Sequence, residues 1–397
     1  GTGGPLKVQD HAWKPTLAKA MHDAAVEAGI PDNPDFNGAT QEGVGYYQTT
    51  INNSRRWSSA RAYLKDAKQR KNLTIATSAH ATRVLIENGR AVGVEYRTPA
   101  GLQVAKAGRE VIVSGGVYGS PQLLMLSGLG PAAHLQQHGI TVVKDMPGVG
   151  SHLHDHFNTY IAYKCSQPVT MNDLVNSLPR RILAGMMYAF GRTGPLASMG
   201  LFVGAMVRSD KRLERPDLQI NMFAWAIKER NRHGVVAQPF SAFGLSPVHL
   251  RPDGRGTVRL KSADPLAAPE IRFNFLKTAS DWDAMLKGMA ICREIGKQAA
   301  LKPFVIEEIM PGPSVTEEGA LRDYLRETGV SNLHPVGTCR MGREPDAVVD
   351  PQLRVHGIAG LRVADASIMP SIVAGNTNAP SIMIGEKCAD LVRAAAA

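Results

Sequence analysis

Two polar residues near the C-terminus have side chains suited to acid-base chemistry. His334 opens the run HPVGTCRMG at residues 334–342, and Asn376 opens the run NTNAP at residues 376–380. Imidazole has the unperturbed pKa closest to working pH, so a histidine can remove a hydroxyl proton. An asparagine amide can donate a hydrogen bond to an oxygen that gains negative charge. The residue types alone do not show that His334 and Asn376 are catalytic, because a histidine beside a proline is often structural and an asparagine can cap a helix.

Two other kinds of site are weaker candidates. The densest run of possible metal ligands is His152, His154, Asp155 and His156. Ligands from one run need partners elsewhere, each with an acceptor that fixes the ring tautomer, and the sequence offers few. We therefore expect no metal site. No G-x-S-x-G turn is present to hold a nucleophilic serine, and Ser120 fits better as a helix N-cap followed by Pro121 at the first helical position.

The elements that must position these residues alternate between strands and helices. Asn88-Gly89, the strongest short hairpin signal, lies between strand-like runs at 82–88 and 91–97. Residues 110–114 predict a strand that leads through Gly115-Gly116 into the helix expected after Ser120. This unit suits a nucleotide-binding sheet, although ordinary α/β packing explains the same residues. Further predicted strands are 218–226, 243–250, 257–260, 270–275 and the start of 361–370, and further predicted helices lie within 8–30, at 280–298 and from Pro380 onward.

Composition favours a globular enzyme. The chain has 397 residues, 44% apolar and 20% charged, which is enough to bury a sizeable core in two or more domains. Its four cysteines are scattered without a CxxC pair, so a reducing, cytoplasmic compartment is the default expectation. The net charge of +10 is spread along the chain, which favours a solvated surface over a nucleic-acid partner and leaves peripheral membrane association open. No run approaches the 18 or so apolar residues of a membrane span.

Several runs together resemble a known family. Residues 334–342, 361–370 and 376–380, the stretch GVYGSPQLLMLSGLG at 116–130, and the short runs at 72–74, 147–150 and 153–156 are similar to those of glucose-methanol-choline oxidoreductases, nearest to the choline-dehydrogenase-like branch. The resemblance implies an α/β fold in which a Rossmann-like FAD-binding domain is interleaved with a mixed-sheet substrate domain. It predicts the remainder of the FAD-binding domain at 1–157, the substrate-binding domain at 158–330 and a catalytic, FAD-contacting segment at 331–397.

One expected feature of that family is missing from the sequence. No Gly-x-Gly-x-x-Gly spacing occurs, whereas the family opens with a strand, such a turn and a helix that hold the ADP half of FAD. The first residues resemble the family roughly a quarter of the way in, and one βαβ unit needs about 30 residues. We therefore expect an N-terminally truncated enzyme, a gene fragment or a cleaved piece, which would bind FAD poorly.

The resemblance also implies a reaction and a set of roles. The reaction is FAD-dependent oxidation of a primary alcohol to an aldehyde, with hydride passing to flavin N5 and oxygen or a quinone as electron acceptor. His334 would be the sole base, and Asn376 would orient the substrate oxygen. The predicted cofactor contacts are Ala81 at the adenine, Asp365 and Ala366 at the pyrophosphate and ribityl region, and Asn378 and Ala379 at the flavin edge. Two alternatives stay open: a hydroxynitrile lyase on the same fold, and a non-catalytic fragment that serves as a binding module.

Overall fold

The computed structural model of the chain describes residues 3–198, 200–231 and 234–396. Its α-helices are α1 (Thr16–Glu27), α2 (Lys65–Ala67), α3 (Gly116–Leu126), α4 (Ala132–Gln137), α5 (Met171–Val175), α6 (Leu178–Gly191), α7 (Ala279–Gly296), α8 (Glu318–Thr328) and α9 (Asn378–Ala396). A π-helical turn at Ala60–Leu64 precedes α2, and short 3-10 helices lie at Pro195–Ala197 and Ala366–Ile368.

Short strands alternate with these helices. The strands are β1 (Gly43–Tyr46), β2 (Ile51–Asn52), β3 (Arg55–Arg56), β4 (His80–Glu87), β5 (Arg90–Thr98), β6 (Gly101–Lys106), β7 (Val111–Val113), β8 (Leu129–Gly130), β9 (Lys144–Asp145), β10 (Phe157–Asn158), β11 (Ile161–Cys165), β12 (Leu201–Val207), β13 (Leu218–Phe223), β14 (Ile227–Asn231), β15 (Gly234–Ala237), β16 (Ala242–His249), β17 (Thr257–Arg259), β18 (Glu270–Arg272), β19 (Val305–Met310), β20 (Val330–Ser331) and β21 (Leu361–Val363).

The chain divides into two compact units, each built from three separate segments. The first unit comprises the part up to Leu73, Phe157–Arg251 and Ala279–Val330. It contains an antiparallel sheet in which β12 pairs with β1 and β13, and β13 pairs with β16. Strand β16 also pairs with β10 and β11, and β11 with β19. Helices α1 and α7 pack on this sheet through β12 and β16, which buries apolar strands such as β16 completely.

The second unit comprises Thr74–His156, Pro252–Thr278 and the chain from Ser331 onward. Its centre is the parallel pair β7 and β21, in which Val111 lies opposite Leu361 and Val113 opposite Val363. Apolar residues of α3 and α9, including Leu124 and Ile384, pack into the same core. A three-stranded antiparallel sheet, β4-β5-β6, also belongs to this unit. The unit therefore combines parallel strands with helices in the way that the α/β prediction requires.

The predicted β-hairpin is confirmed. Asn88 and Gly89 have φ angles of 48° and 74°, the pair of positive values that a type I′ turn needs. Strands β4 and β5 extend on either side, and β6 adds a third strand that the sequence pattern did not predict. The predicted strands at 110–114, 218–226, 243–250, 257–260 and 270–275, and the helices within 8–30 and 280–298, are also confirmed, with bounds that differ by a few residues.

The predicted N-cap at Ser120 is wrong. Helix α3 begins at Gly116, five residues before Pro121, and the φ of +75° at Gly116 forms the turn after β7. Pro121 therefore lies inside the helix, where its missing N–H leaves the carbonyl four residues before it without the usual donor. That carbonyl belongs to Val117, and the Thr338 hydroxyl donates to it at 2.6 Å. A side chain from elsewhere in the unit thus satisfies the group that the proline leaves unpaired.

The start of α9 and the bounds of the two units differ somewhat from the sequence predictions. Helix α9 begins at Asn378, two residues before the predicted start at Pro380. The units change at 156/157 and 330/331, close to the predicted domain boundaries. Residues 3–73, however, group with the first unit, and residues 252–278 group with the second. Which segment binds FAD and which binds substrate stays a prediction. Among the described residues, no helix is long and apolar enough to cross a membrane.

Candidate active site

The structure brings His334 and Asn376 together within the second unit. The Asn376 amide nitrogen lies 3.1 Å from Nε2 of His334, and 42 residues separate the two in sequence. His334 is half-buried and follows β20, whereas Asn376 is exposed and lies two residues before α9. The pair therefore places an imidazole nitrogen beside an amide donor at a position that solvent reaches from the Asn376 side.

A second histidine contacts the other ring nitrogen. Nδ1 of His156 lies 3.1 Å from Nδ1 of His334, and the rings meet edge to face. Nε2 of His156 lies 3.1 Å from the carbonyl oxygen of Val373. A carbonyl only accepts, so this Nε2 carries the proton and Nδ1 of a neutral His156 accepts. His334 then donates from Nδ1, which leaves its Nε2 without a proton and able to act as a base.

The loop that carries His334 is held by a buried carboxylate. Asp155 is fully buried and accepts from the backbone N–H of His334 at 2.9 Å. The Ser331 hydroxyl donates to the other oxygen of the same carboxylate. Burial raises the pKa of Asp155, while these hydrogen bonds oppose the rise. Asp155 therefore fixes the position of the His334 backbone, and its neighbour His156 fixes the ring.

Burial sets the protonation state of His334. It lowers the pKa of the imidazole to about 4, because the charged form loses solvation. The ring is therefore neutral at pH 7, as a general base must be. The amide of Asn332 also lies 3.2 Å from Nδ1 of His334, where an amide can present either its oxygen or its nitrogen.

The other histidines of this run have structural partners. His154 is buried, with Nδ1 2.7 Å from the carbonyl of His152 and Nε2 accepting from the backbone N–H of Ile372 at 3.0 Å. His152 has φ of 61° and contacts the Asp346 carboxylate at 2.8 Å. Both nitrogens of His154 are thus used by backbone groups. Gly337, three residues after His334, has φ of +95°, and a Cβ there would lie 2.4 Å from the His152 carbonyl oxygen.

Asp365 and Ala366 follow the end of β21 and offer donors for an anion. Both carboxylate oxygens of Asp365 are used inside the unit, one by the N–H of Ser367 and the other by the N–H of Gly116 and the Ser120 hydroxyl. Within the described part of the chain, the backbone N–H groups of Asp365 and Ala366 donate no hydrogen bond. Two unpaired amides beyond the carboxyl end of a parallel strand fit a pyrophosphate.

The remaining predicted cofactor residues lie at two places. Asn378 and Ala379 are exposed in the first turn of α9, where helical N–H groups have no partner within the helix and carry partial positive charge. This end suits the anionic edge of a reduced flavin. Ala81 lies apart from them in the β4-β5-β6 sheet, exposed and paired with Tyr96.

Comparison with known proteins shows which family the chain belongs to. Two models of GMC oxidoreductases match residues 2–158 and 252–385. The chain is 42% identical to an alcohol dehydrogenase [acceptor] of Pseudomonas putida, over 99% of the chain and 71% of that protein. It is also 42% identical to an oxygen-dependent choline dehydrogenase of Brucella ovis, over 98% of the chain and 70% of that protein. The chain belongs to the GMC oxidoreductase family.

Solved structures agree with this assignment. A formate oxidase aligns with a TM-score of 0.90 at 29% identity, over 99% of the chain and 73% of its own. Pyridoxine 4-oxidase from Mesorbium loti aligns with a TM-score of 0.86 at 28% identity, over 98% and 72%. The predicted family, the mixed α/β fold and the FAD cofactor are confirmed. The chain is an oxidoreductase of the FAD-dependent, alcohol-oxidising type.

His156 is the site residue that the sequence pattern did not identify. The structure packs it against His334. The two histidines are 178 residues apart, so no local spacing reveals the contact. The dense histidine run was the available signal, because three imidazoles within five residues need partners somewhere in the fold.

Proposed function

We propose that this protein oxidises a primary alcohol to an aldehyde, with His334 as the base and Asn376 orienting the substrate oxygen. The observation that carries the proposal is the 3.1 Å contact between the Asn376 amide and Nε2 of His334. A hydroxyl group at this place can accept from the amide and donate to the imidazole at once. Because Asn376 is exposed, its amide can turn to admit the oxygen between the two groups.

Each residue of the proposed site has a separate role in proton removal. The hydroxyl proton moves to Nε2 of His334, and the ring then carries a positive charge. His156 still accepts from Nδ1, so the charged ring keeps its orientation. The amide of Asn376 donates to the oxygen as negative charge develops on it, which stabilises that charge where it forms. Asp155 holds the backbone of the base throughout.

When bound, FAD would supply the oxidising power as the acceptor of the hydride. The unpaired amides of Asp365 and Ala366 would hold the pyrophosphate region, and the first turn of α9 at Asn378 and Ala379 would stabilise the flavin edge. Ala81 would offer backbone groups to the adenine.

The substrate and acceptor classes are suggested by the relatives. The names of two of them specify an alcohol dehydrogenase and an oxygen-dependent choline dehydrogenase. A primary alcohol is therefore the proposed substrate, and oxygen or a quinone the proposed electron acceptor.

The test follows flavin absorbance in protein that contains FAD. Adding a primary alcohol without oxygen should bleach the flavin, and His334→Ala should slow that bleaching by about 100-fold to 10,000-fold, the range for losing a general base. Flavin content should stay nearly the same, because the assigned cofactor contacts lie elsewhere. A normal bleaching rate in His334→Ala would remove His334 as the base. No bleaching in the unaltered protein, with cyanohydrin cleavage instead, would favour the hydroxynitrile lyase alternative.

A further inference from the structure

Helix α6 in the first unit carries its apolar residues on the side opposite its buried residue. Ala184 is the buried residue of the helix. At about 100° per residue, the exposed large apolar side chains fall within an arc about 140° wide centred roughly opposite Ala184. This outer face consists of Leu178, Ile182, Leu183, Met186 and Phe190, all of them exposed. Phe190 is 90% exposed, whereas an amphipathic helix of a globular protein normally turns such residues inward.

The helix is fixed to its unit by its inner side. The Tyr188 hydroxyl donates to the backbone carbonyl of Ser54 at 3.0 Å, and the Ser54 hydroxyl donates to the carbonyl of Arg192 at 2.6 Å. Val175, before the helix, and Leu196, after it, are exposed large apolar residues as well. A contiguous exposed apolar surface of this kind marks a site of interaction with a protein or a membrane.

The charge around α6 distinguishes between a protein and a membrane as the partner of its outer face. The sequence between Asp173 and Asp210 contains no acidic residue, and Arg180, Arg181 and Arg192 lie within it. At about 100° per residue, Arg180 and Arg181 fall about 60° beyond the two edges of the outer face, where their long side chains can still reach toward it. Arg180 also donates to the carbonyl of Pro168 at 2.9 Å. A second copy of the chain docked on this face would bring the same arginines together without an acidic partner from the segment. An anionic lipid bilayer provides both acyl chains that can contact the apolar side chains and phosphate groups that can contact the arginines.

We propose that the outer face of α6 binds the surface of an anionic phospholipid bilayer. The apolar side chains enter the boundary between headgroups and acyl chains, and the flanking arginines contact lipid phosphates. The helix has 14 residues and is about 21 Å long, too short to span the bilayer, so it lies in the surface. This inference goes beyond the proposed reaction and depends on none of its residues.

The test is sedimentation with vesicles. The protein is mixed with vesicles of equimolar phosphatidylcholine and phosphatidylglycerol, or of phosphatidylcholine alone, and the bound fraction is measured at low and high salt. We expect binding to the anionic vesicles, weaker binding to phosphatidylcholine, and release by salt. Ile182→Ser with Phe190→Ser should lower the vesicle partition coefficient about tenfold or more, since partition scales with buried apolar area. Arg180→Gln with Arg181→Gln should weaken binding to anionic vesicles alone.

Matched control variants carry the same kinds of substitution at exposed positions outside α6. Leu102→Ser with Val104→Ser changes two exposed apolar residues of β6, and Lys261→Gln with Lys277→Gln removes the same charge from exposed positions. Both controls should bind vesicles like the unaltered protein, and circular dichroism checks that every variant is folded. Equal binding by the α6 variant and its control would overturn the proposal. So would absence of vesicle binding together with self-association that the α6 variant abolishes, because the face would then join two copies.

Discussion

Nδ1 of His156 lies 3.1 Å from Nδ1 of His334, and the opposite nitrogen of His156 points at a backbone carbonyl. The carbonyl of Val373 thus determines, through His156, which nitrogen of His334 carries a proton. Asp155, the residue before His156, accepts from the His334 backbone. Two adjacent residues therefore set the position of the proposed base and its tautomer.

Replacing His156 should impair the base without touching the substrate. In His156→Asn the Nδ1 proton of His334 loses its imidazole acceptor, so a share of the rings adopts the Nε2–H tautomer, which cannot accept a proton. Flavin reduction by alcohol should slow by about tenfold or more, the scale seen when a group that orients a functional histidine is removed. Nitrogen-15 NMR of the histidine rings should show the tautomer change directly.

A control histidine is available in the same unit. His138→Asn alters a half-buried ring that contacts His134, and it should leave the reduction rate and the His334 signals unchanged. If His156→Asn slows reduction while His334 keeps a single Nδ1–H tautomer, His156 acts in some way other than through the tautomer.

Local sequence patterns predict much of the fold but not the contact between His156 and His334. The turn at Asn88 and Gly89 follows from the ease with which those two residues adopt positive φ. Strand β21 follows from its apolar run. The contact between His156 and His334 depends instead on how segments 178 residues apart pack, which no local pattern encodes.

The error at Ser120 has the same origin. A serine before a proline has the local signature of a helix start, and the signature was misleading here. The Ser120 hydroxyl bonds to Asp365, 245 residues away, and Thr338 supplies the donor that Pro121 lacks. Distant partners thus stabilise a helix that the local residues would begin later.

Removing the Ser120 hydroxyl should destabilise the second unit. Ser120 is fully buried, accepts from the N–H of Gly115 at 2.9 Å and donates to Asp365 at 2.5 Å. Ser120→Ala removes both hydrogen bonds, one of them to a carboxylate, which should lower the free energy of unfolding by about 1–3 kcal/mol. Urea unfolding measures the change. The exposed Ser58→Ala serves as control, and similar midpoints for the two variants would show that the Ser120 bonds contribute little.

Stability should fall with acid through His154. Burial lowers the pKa of this ring to about 4, whereas in the unfolded chain it titrates near 6.5. Between these values the unfolded state binds more protons, so stability decreases as pH falls from about 6.5 to 4, by up to about 3 kcal/mol from this residue. His154→Gln removes the titration, and His334 titrates equally in both proteins. The difference in unfolding free energy between the two proteins should therefore shrink as pH falls; a constant difference would contradict the burial effect.

Asn376 and Asn378 should differ in what their loss disturbs. The Asn376 amide lies 3.1 Å from Nε2 of His334, while Asn378 is the first residue of α9. Asn376→Ala removes a donor to the oxygen that gains charge, which is worth roughly 3 kcal/mol, or about two orders of magnitude in the rate of flavin reduction. The resting flavin spectrum should stay nearly unchanged, because this amide is assigned to the substrate.

Asn378→Ala is the matched control, since it deletes the same amide two residues along. At the start of α9 it should chiefly weaken flavin retention or shift the flavin redox potential, because this end of the helix is proposed to face the flavin edge. Rapid mixing of FAD-containing protein with alcohol, followed by flavin absorbance, separates the two effects. Equal slowing of reduction by both substitutions would mean that the substrate oxygen has been placed at the wrong asparagine, because only Asn376 is assigned a hydrogen bond to it.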